Sequence, residues 1–275
     1  MAAHSLEINT DLARRILTQF LREEITRTGL SRAVVGLSGG IDSALACYLA
    51  AEALGPQNVL AVRMPYRTSS QASLDDAQSV IDQTGVQTVT VPITDLAEPL
   101  LTRFPEMSSL RRGNIMARTR MIVLYDQSAA FGGLVVGTGN KTEIMLGYST
   151  LFGDSAHALN PLGDLYKTQV RQLSRALGVP AAILDKPPTA DLWPGQTDEG
   201  ELGLTYAQAD QLLYLLVDQR YKPEECVAAG FEAGFVRQVV ERLRRNHFKR
   251  VMPLVAKLSN RTVGYDFLYL RDWGT

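Results

Sequence analysis

Small and hydroxylic residues follow the first apolar stretch of the chain and could bind an anion. The run is Gly36-Leu37-Ser38-Gly39-Gly40-Ile41-Asp42-Ser43, and it opens a helical pattern that ends near residue 54. Glycines let the backbone approach a phosphate closely, and a helix N-terminus offers unpaired N–H groups and the positive end of a dipole. The hydroxyls of Ser38 and Ser43 add hydrogen-bond donors. The run therefore predicts a phosphate-binding loop.

Asp42 distinguishes this loop from the lysine-containing Walker loop, which ends in Gly-Lys-Ser/Thr. A carboxylate beside phosphates is repulsive unless a divalent cation lies between them, so Asp42 suggests Mg²⁺. A tight turn before a capped helix would explain Asp42 alone. It would not explain two hydroxyls and two glycines at the same junction.

Elements able to position this loop alternate along the first half of the chain. Apolar runs predict strands at 33–37, 58–64, 86–91 and 133–137, separated by helical patterns at 42–54, 70–84, 94–103 and 108–131. This alternation predicts an α/β fold with a doubly wound, Rossmann-like parallel sheet that binds ligands at the carboxyl ends of its strands. Further helices flank it at both ends, at 10–28, 166–177, 206–217 and 232–246. We expect a single domain over residues 1–275.

Composition excludes several classes of protein. Lys plus Arg is 28 and Asp plus Glu is 29 in 275 residues, a net charge of -1 that argues against nucleic-acid binding. Two cysteines, Cys47 and Cys226, cannot build a disulfide framework or a cysteine-rich zinc site. No apolar run approaches the roughly 18–20 residues of a membrane span, and no signal peptide is evident. We expect a cytoplasmic protein without nucleic-acid or membrane partners.

The segment Ser38–Ser43 resembles the pyrophosphate loop of the N-type ATP pyrophosphatases. These enzymes have an adenine nucleotide α-hydrolase-like fold, cleave ATP between its α- and β-phosphates and adenylate a substrate. The resemblance implies that ATP is a cosubstrate and that residues 36–43 bind it.

Further segments are similar to the NAD synthetase family in particular. They are residues 113–121, 137–143, 153–154, 165–170, 186–192, 196–199 and 247–250. The resemblance implies that deamido-NAD is amidated to NAD⁺ with ammonia through an acyl-adenylate, releasing AMP and pyrophosphate. No cysteine or histidine nucleophile is required.

The same resemblance assigns roles to individual residues. Besides the loop, it implies ATP contacts at Thr138, Lys167 and Thr189, and metal ligands at Asp42, Glu143 and Asp154. It implies deamido-NAD contacts at Arg118, His247 and Lys249. The residues expected to act on the phosphates in catalysis are Asp42, Lys167 and Lys186.

The sequence also leads to expectations about the nitrogen donor and the oligomeric state. The synthetase pattern begins within forty residues of Met1, which leaves no room for a glutaminase domain, so free ammonia or a separate glutaminase would supply nitrogen. The family resemblance implies a homodimer with the substrate site at its interface. The predicted helix 108–131 suits that role because it combines Arg118 and Arg120 with an apolar stripe of Ile115, Met116, Ile122 and Val123.

Some features depart from the family or leave alternatives open. Leu151 and Ala158 replace the Lys and Asp of some members, and Phe248 interrupts the basic cluster. The Pro- and Gly-rich segment 185–203 is expected to order over ATP, or else to be a fixed surface loop. Another adenylating enzyme, such as a tRNA-modifying one, and a non-catalytic nucleotide-binding module are the alternative functions.

Overall fold

The computed structural model describes residues 6–189 and 197–267, and a four-stranded parallel sheet lies at its centre. The strands are β1 (Ala33–Gly36), β2 (Val59–Arg63), β3 (Gln87–Thr90) and β4 (Leu134–Val136). Their order is β3-β2-β1-β4, and every neighbouring pair is parallel. The predicted α/β class with a parallel sheet is confirmed.

Helices cover both faces of the sheet and extend the fold toward each terminus. Within the described residues, the α-helices are α1 (Thr10–Arg27), α2 (Ile41–Leu54), α3 (Gln71–Thr84), α4 (Thr94–Arg103), α5 (Ser109–Phe131), α6 (Lys141–Leu146), α7 (Lys167–Ala176), α8 (Ala181–Asp185), α9 (Asp198–Leu202), α10 (Tyr206–Leu213), α11 (Pro223–Ala228) and α12 (Ala233–Arg245). A π-helical turn, Tyr214–Asp218, continues α10, and His247–Arg250 form a 3₁₀ turn.

Successive residues of β1 enter different clusters of buried side chains. Ala33 and Val35 pack with α1, α2, α3 and α7, whereas Val34 packs with α4 and α5 on the other face. Because side chains alternate along a strand, a sheet covered on both faces needs apolar residues at consecutive strand positions. This requirement explains the continuous apolar run that predicted β1.

The direction of strand addition reverses next to β1. β2 and β3 are added on one side of β1, and β4 returns to the other side. The loops that follow β1 and β4 consequently diverge at the carboxyl edge of the sheet, which is where ligands bind in open α/β folds.

The C-terminal helices form a third apolar cluster with α6 and the N-terminus of α7. Its fully buried members include Leu146, Ala209, Leu212 and Cys226. Cys47 is also fully buried, and both cysteines are free. No helix in residues 6–189 and 197–267 is long and apolar enough to cross a membrane.

Two features of the elements differ from the sequence prediction. The short helices α6, α8, α9 and α11 were not predicted, because five or six residues are too few to display a helical period. The four apolar residues expected to form one stripe on α5 lie on two faces. Met116 and Val123 are buried against the sheet, whereas Ile122 is 62% exposed, since adjacent helical residues point about 100° apart.

Candidate active site

A cleft of about 300 Å³ opens at the carboxyl edge of the sheet, between the loops that follow β1 and β4. The end of β2, the first half of α3, the middle of α5 and residues 186–189 complete its walls. The predicted site residues that line it are Gly36, Leu37, Ser38, Gly40, Ile41, Asp42, Ser43, Thr138, Glu143, Asp154, Lys167, Lys186 and Thr189. Segments far apart in sequence therefore share one cleft.

Hydroxyl contacts brace the loop after β1. Ser43 Oγ accepts the backbone N–H of Ser38 at 3.2 Å, lies 3.1 Å from Ser38 Oγ and donates to the Gly40 carbonyl at 2.9 Å. Gly40 precedes α2 and supplies no side-chain cap. The first N–H groups of α2 are thus left for an anion.

Gly39 belongs to the same loop but faces α3 instead of the cleft. Its φ is +81°, and a Cβ atom there would lie 2.2 Å from the Ser73 carbonyl oxygen. The glycine is therefore required both by its left-handed conformation and by the close approach of the loop to α3.

A buried lysine connects the loop to α6. Lys167, 2% exposed, places Nζ 2.5 Å from Asp42 Oδ2 and 3.0 Å from Glu143 Oε1. Its Nζ also lies 5.0 Å from the centre of the Tyr206 ring. Burial alone would lower the pKa of Lys167, but the two carboxylates outweigh burial and raise it, so the lysine is a fixed cation.

Asn140 orients both carboxylates. Its side chain donates to Asp42 Oδ1 at 2.8 Å and accepts the Glu143 backbone N–H at 3.0 Å, while Glu143 Oε2 accepts the Asn140 N–H at 3.4 Å. This reciprocal arrangement is a capping box at the start of α6. Burial raises the pKa of Glu143, with Lys167 opposing that shift.

The donor set at Asp42 and Glu143 fits Mg²⁺. This ion commonly binds one or two carboxylates together with phosphate oxygens and water. The two side chains are 17% and 16% exposed, and both direct an oxygen at one cation, the Lys167 ammonium.

Asp154 has separate surroundings on the cleft wall, where its Oδ1 accepts the Thr150 N–H at 2.6 Å. Across the described parts of the chain, no three His, Cys, Asp or Glu side chains are grouped to hold an ion. The assignment of three carboxylates to metal stays a prediction.

Lys186 contacts α3. Its Nζ lies 2.8 Å from Asp76 Oδ2 and 3.0 Å from Ser73 Oγ, beside the phosphate loop. Thr189 also lines the cleft. Residues 190–196 of the predicted ATP-covering segment lie outside the described residues.

The three residues predicted to contact deamido-NAD do not line this cleft. Arg118 is exposed and donates to the Leu151 carbonyl at 3.3 and 3.2 Å. Lys249 Nζ donates to the carbonyls of Gly147 and Ser149, both at 2.6 Å, and burial lowers its pKa. His247 is exposed in the 3₁₀ turn. Their roles stay predictions.

Several cleft residues were missing from the predicted set. Tyr148 and Asp198 line the cleft, and Asp198 accepts the hydroxyls of Tyr148 and of the buried Tyr206 at 3.1 and 3.2 Å. Burial raises the pKa of Asp198. Arg120 lines the cleft and donates to the Met64 carbonyl at 3.1 Å, whereas Arg118, two residues earlier, points away. Asp198 falls in a segment that resembles the family, but only the folded chain shows its partners.

Comparisons with known proteins give a consistent result. The family model described as "NAD synthase" matches residues 13–253. A curated relative from Trichlorobacter lovleyi, an "NH(3)-dependent NAD(+) synthetase", is 57% identical over 98% of this chain and 98% of its own length.

Solved structures agree in fold over nearly the whole chain. One, titled "Structure of NMN synthetase from Francisella tularensis", has a TM-score of 0.82, is 32% identical and covers 92% of this chain and 100% of its own. Another, an "NH3-dependent NAD synthetase" from Campylobacter jejuni in complex with the nitrate ion, has a TM-score of 0.78 and is 29% identical. It covers 91% of this chain and 100% of its own.

Proposed function

The chain belongs to the NAD synthase family, and we propose that it catalyses the ATP-dependent amidation of deamido-NAD to NAD⁺ with ammonia. The enzyme is a ligase that releases AMP and pyrophosphate. The observation that carries the proposal is the meeting of Asp42, Glu143 and Lys167 at the open N-terminus of α2.

The reaction consists of two transfers. A carboxylate oxygen of deamido-NAD forms a bond to the α-phosphorus of ATP, and the bond to the β-phosphate bridging oxygen breaks, releasing pyrophosphate. Ammonia then attacks the acyl carbon of the adenylate. The C–O bond to AMP breaks, and the nitrogen loses a proton to give the amide.

Charge neutralisation at the phosphates is the main task of the protein. The N–H groups at the start of α2 and the ammonium groups of Lys167 and Lys186 would stabilise the negative charge that develops on the leaving pyrophosphate. Lys167 is already held in the cleft by two carboxylates, so little reorganisation is needed. Lys186 must exchange Asp76 for a phosphate.

Asp42 and Glu143 would hold Mg²⁺ beside the phosphates, and Asp154, which also lines the cleft, would contribute a third carboxylate. When bound, the ion supplies Lewis-acid stabilisation of phosphate charge. The donor set supports this assignment because carboxylate oxygens are the ligands that Mg²⁺ prefers.

We also propose a symmetric homodimer with the deamido-NAD site at its interface. Arg118, Ile122 and Tyr125 are exposed at helical positions i, i+4 and i+7, so they form one face of α5. The exposed apolar side chains Leu96, Leu100, Phe104 and Leu110 add to the apolar surface of α4 and α5. Such surfaces commonly mark contacts between proteins, and this one carries the arginine expected at deamido-NAD.

The experiment is a product assay with the purified chain. ATP, Mg²⁺, deamido-NAD and ammonium should yield NAD⁺, AMP and pyrophosphate in equal amounts, and glutamine should not replace ammonium. Formation of ADP and orthophosphate, or no cleavage of ATP, would contradict the proposal. Efficient use of glutamine without a partner would contradict the ammonia assignment.

A second substrate belongs in the same assay. Because one similar structure is titled an NMN synthetase, nicotinic acid mononucleotide is the relevant competitor. The 57% identical relative favours the dinucleotide, so we expect kcat/KM to be higher for deamido-NAD.

A further inference from the structure

Asp210 is a fully buried carboxylate in α10 that does not line the cleft. Its Oδ1 accepts the Thr142 hydroxyl at 2.5 Å, and its Oδ2 accepts the Thr168 backbone N–H at 2.8 Å. Thr142 Oγ1 in turn accepts the Lys167 backbone N–H at 3.0 Å. Each of these contacts reaches the first turn of α6 or of α7.

These two first turns carry the reactive side chains of the proposed site. Glu143 follows Thr142 in α6, and Lys167 precedes Thr168 in α7. One carboxylate therefore joins the two helix N-termini at the residues next to the Glu143–Lys167 pair. A negative charge is favourable there, because the N-terminus of each helix is the positive end of its dipole.

Asp218 repeats the connection eight residues later. Its carboxylate accepts the Tyr166 hydroxyl and lies 2.8 Å from Lys141 Nζ, again joining α7 to α6. In an uninterrupted α-helix, eight residues advance about 800°, which would place Asp218 about 80° away from Asp210. The π-helical turn 214–218 advances less per residue and brings both carboxylates to the same side. π-Turns are often found at functional sites.

We infer that Asp210 is a positioning residue: through Thr142 and the N-terminus of α7 it holds Glu143 and Lys167 at the separation needed for adenylation. The inference rests on the proposed function. It predicts that loss of the Asp210 carboxylate impairs the step at the phosphates more than the later attack of ammonia.

Asp210→Asn is the direct test, because asparagine has the same shape and cannot accept both hydrogen bonds. The adenylation step is measured by ATP–pyrophosphate exchange, with deamido-NAD present and ammonium absent. We expect exchange to slow by about 10- to 100-fold, the range typical of residues that orient ligands of a reactive centre. The KM for ammonium in the complete reaction should stay within twofold of the wild-type value.

Three further variants separate positioning from general stability. Leu212→Ala removes a fully buried side chain from the same helix without touching α6 or α7 hydrogen bonds, so it should lower Tm but leave exchange unchanged well below Tm. Thr142→Val removes the hydroxyl and should behave like Asp210→Asn, whereas Thr142→Ser should retain most of the exchange rate. The exchange rate of the double variant D210N/T142V should be no lower than that of the slower single variant, because both substitutions break the same connection.

The outcomes distinguish the two proposals. No exchange by the wild-type protein contradicts the proposed function itself. If the wild type shows exchange and D210N exchanges at the same rate, only the positioning role is contradicted. The same holds if L212A loses as much exchange activity as D210N. If D210N does not fold, the T142V and T142S pair decides, and equal rates in these two variants overturn the inference.

Discussion

Lys167 is the residue on which the electrostatics of the cleft depend. Lys167→Met keeps the length of the side chain but leaves Asp42 and Glu143 without their shared cation. Removing one partner of a buried ion pair destabilises a protein by about 3–5 kcal/mol, and the partial exposure of both carboxylates puts this case at the lower end. We expect lower Tm, at least ~100-fold slower turnover, and a larger rise of Tm on adding Mg²⁺ than in the wild type.

Lys257→Met is the matched control for that variant. Lys257 also pairs with a carboxylate, that of Asp266, but it is 53% exposed. Exposed ion pairs contribute little, so its Tm and turnover should equal those of the wild type. If K167M has the same Tm and the same turnover as K257M, Lys167 is central neither to the stability nor to the catalysis of the site.

Asp42 is the residue expected to bind metal in the loop. Asp42→Asn keeps its size and removes one ligand charge, while Lys167 still pairs with Glu143. We expect turnover to fall by roughly two orders of magnitude, since one lost electrostatic contact at a transition state has that effect. Circular dichroism should show a folded protein. Asp11→Asn, in the exposed first turn of α1, serves as the control, and comparable rates in the two variants would remove Asp42 from the mechanism.

At the scale of secondary-structure elements, the approach of the phosphate loop to α3 depends on Gly39. Gly39→Ala would combine an unfavourable left-handed backbone with a Cβ 2.2 Å from the Ser73 carbonyl oxygen. The loop and α3 must therefore separate. We expect weaker ATP binding, measured by calorimetry, and a free energy of unfolding lower by more than the ~1 kcal/mol of the backbone term.

Gly29→Ala isolates that backbone term. Gly29 has the same φ of +81°, but nothing lies within 4 Å of the Cβ that would be added. It should lose only about 1 kcal/mol of stability and bind ATP normally. Equal behaviour of the two variants would mean that the loop does not need its contact with α3.

At the scale of the whole molecule, the exposed face of α5 should be the dimer contact. Ile122→Glu places a charge on that face next to Arg118, without disturbing the buried face that holds Met116 and Val123. Light scattering should show a dimer for the wild type and a monomer for this variant. The variant should also have a higher KM for deamido-NAD, because the interface is expected to complete that site.

Ile16→Glu is the control for assembly, because Ile16 is an exposed apolar residue of α1, 55% accessible. It should remain dimeric with normal kinetics. A monomeric wild type under active conditions, or a dimeric I122E, would reject this interface.

Local patterns in the sequence determined the sheet and the phosphate loop. A short apolar run, two glycines and a helix start lie within about ten residues at 33–43, so their spacing alone predicts a strand, a tight turn and an N-terminus open to an anion. The family resemblance then selected cleft residues outside the loop, among them Thr138, Glu143 and Asp154. These features were accessible because each depends on neighbours in the chain.

Only the tertiary structure decided which of these residues meet. Asp42 and Lys167 are 125 positions apart, and Asp210 reaches Thr142 across 68, so no local pattern connects them. Helix rotation likewise placed Arg120 in the cleft and Arg118 outside it, although the two are only two residues apart in the same motif. Such contacts follow from how helices pack on the sheet, which depends on the cores on both of its faces together.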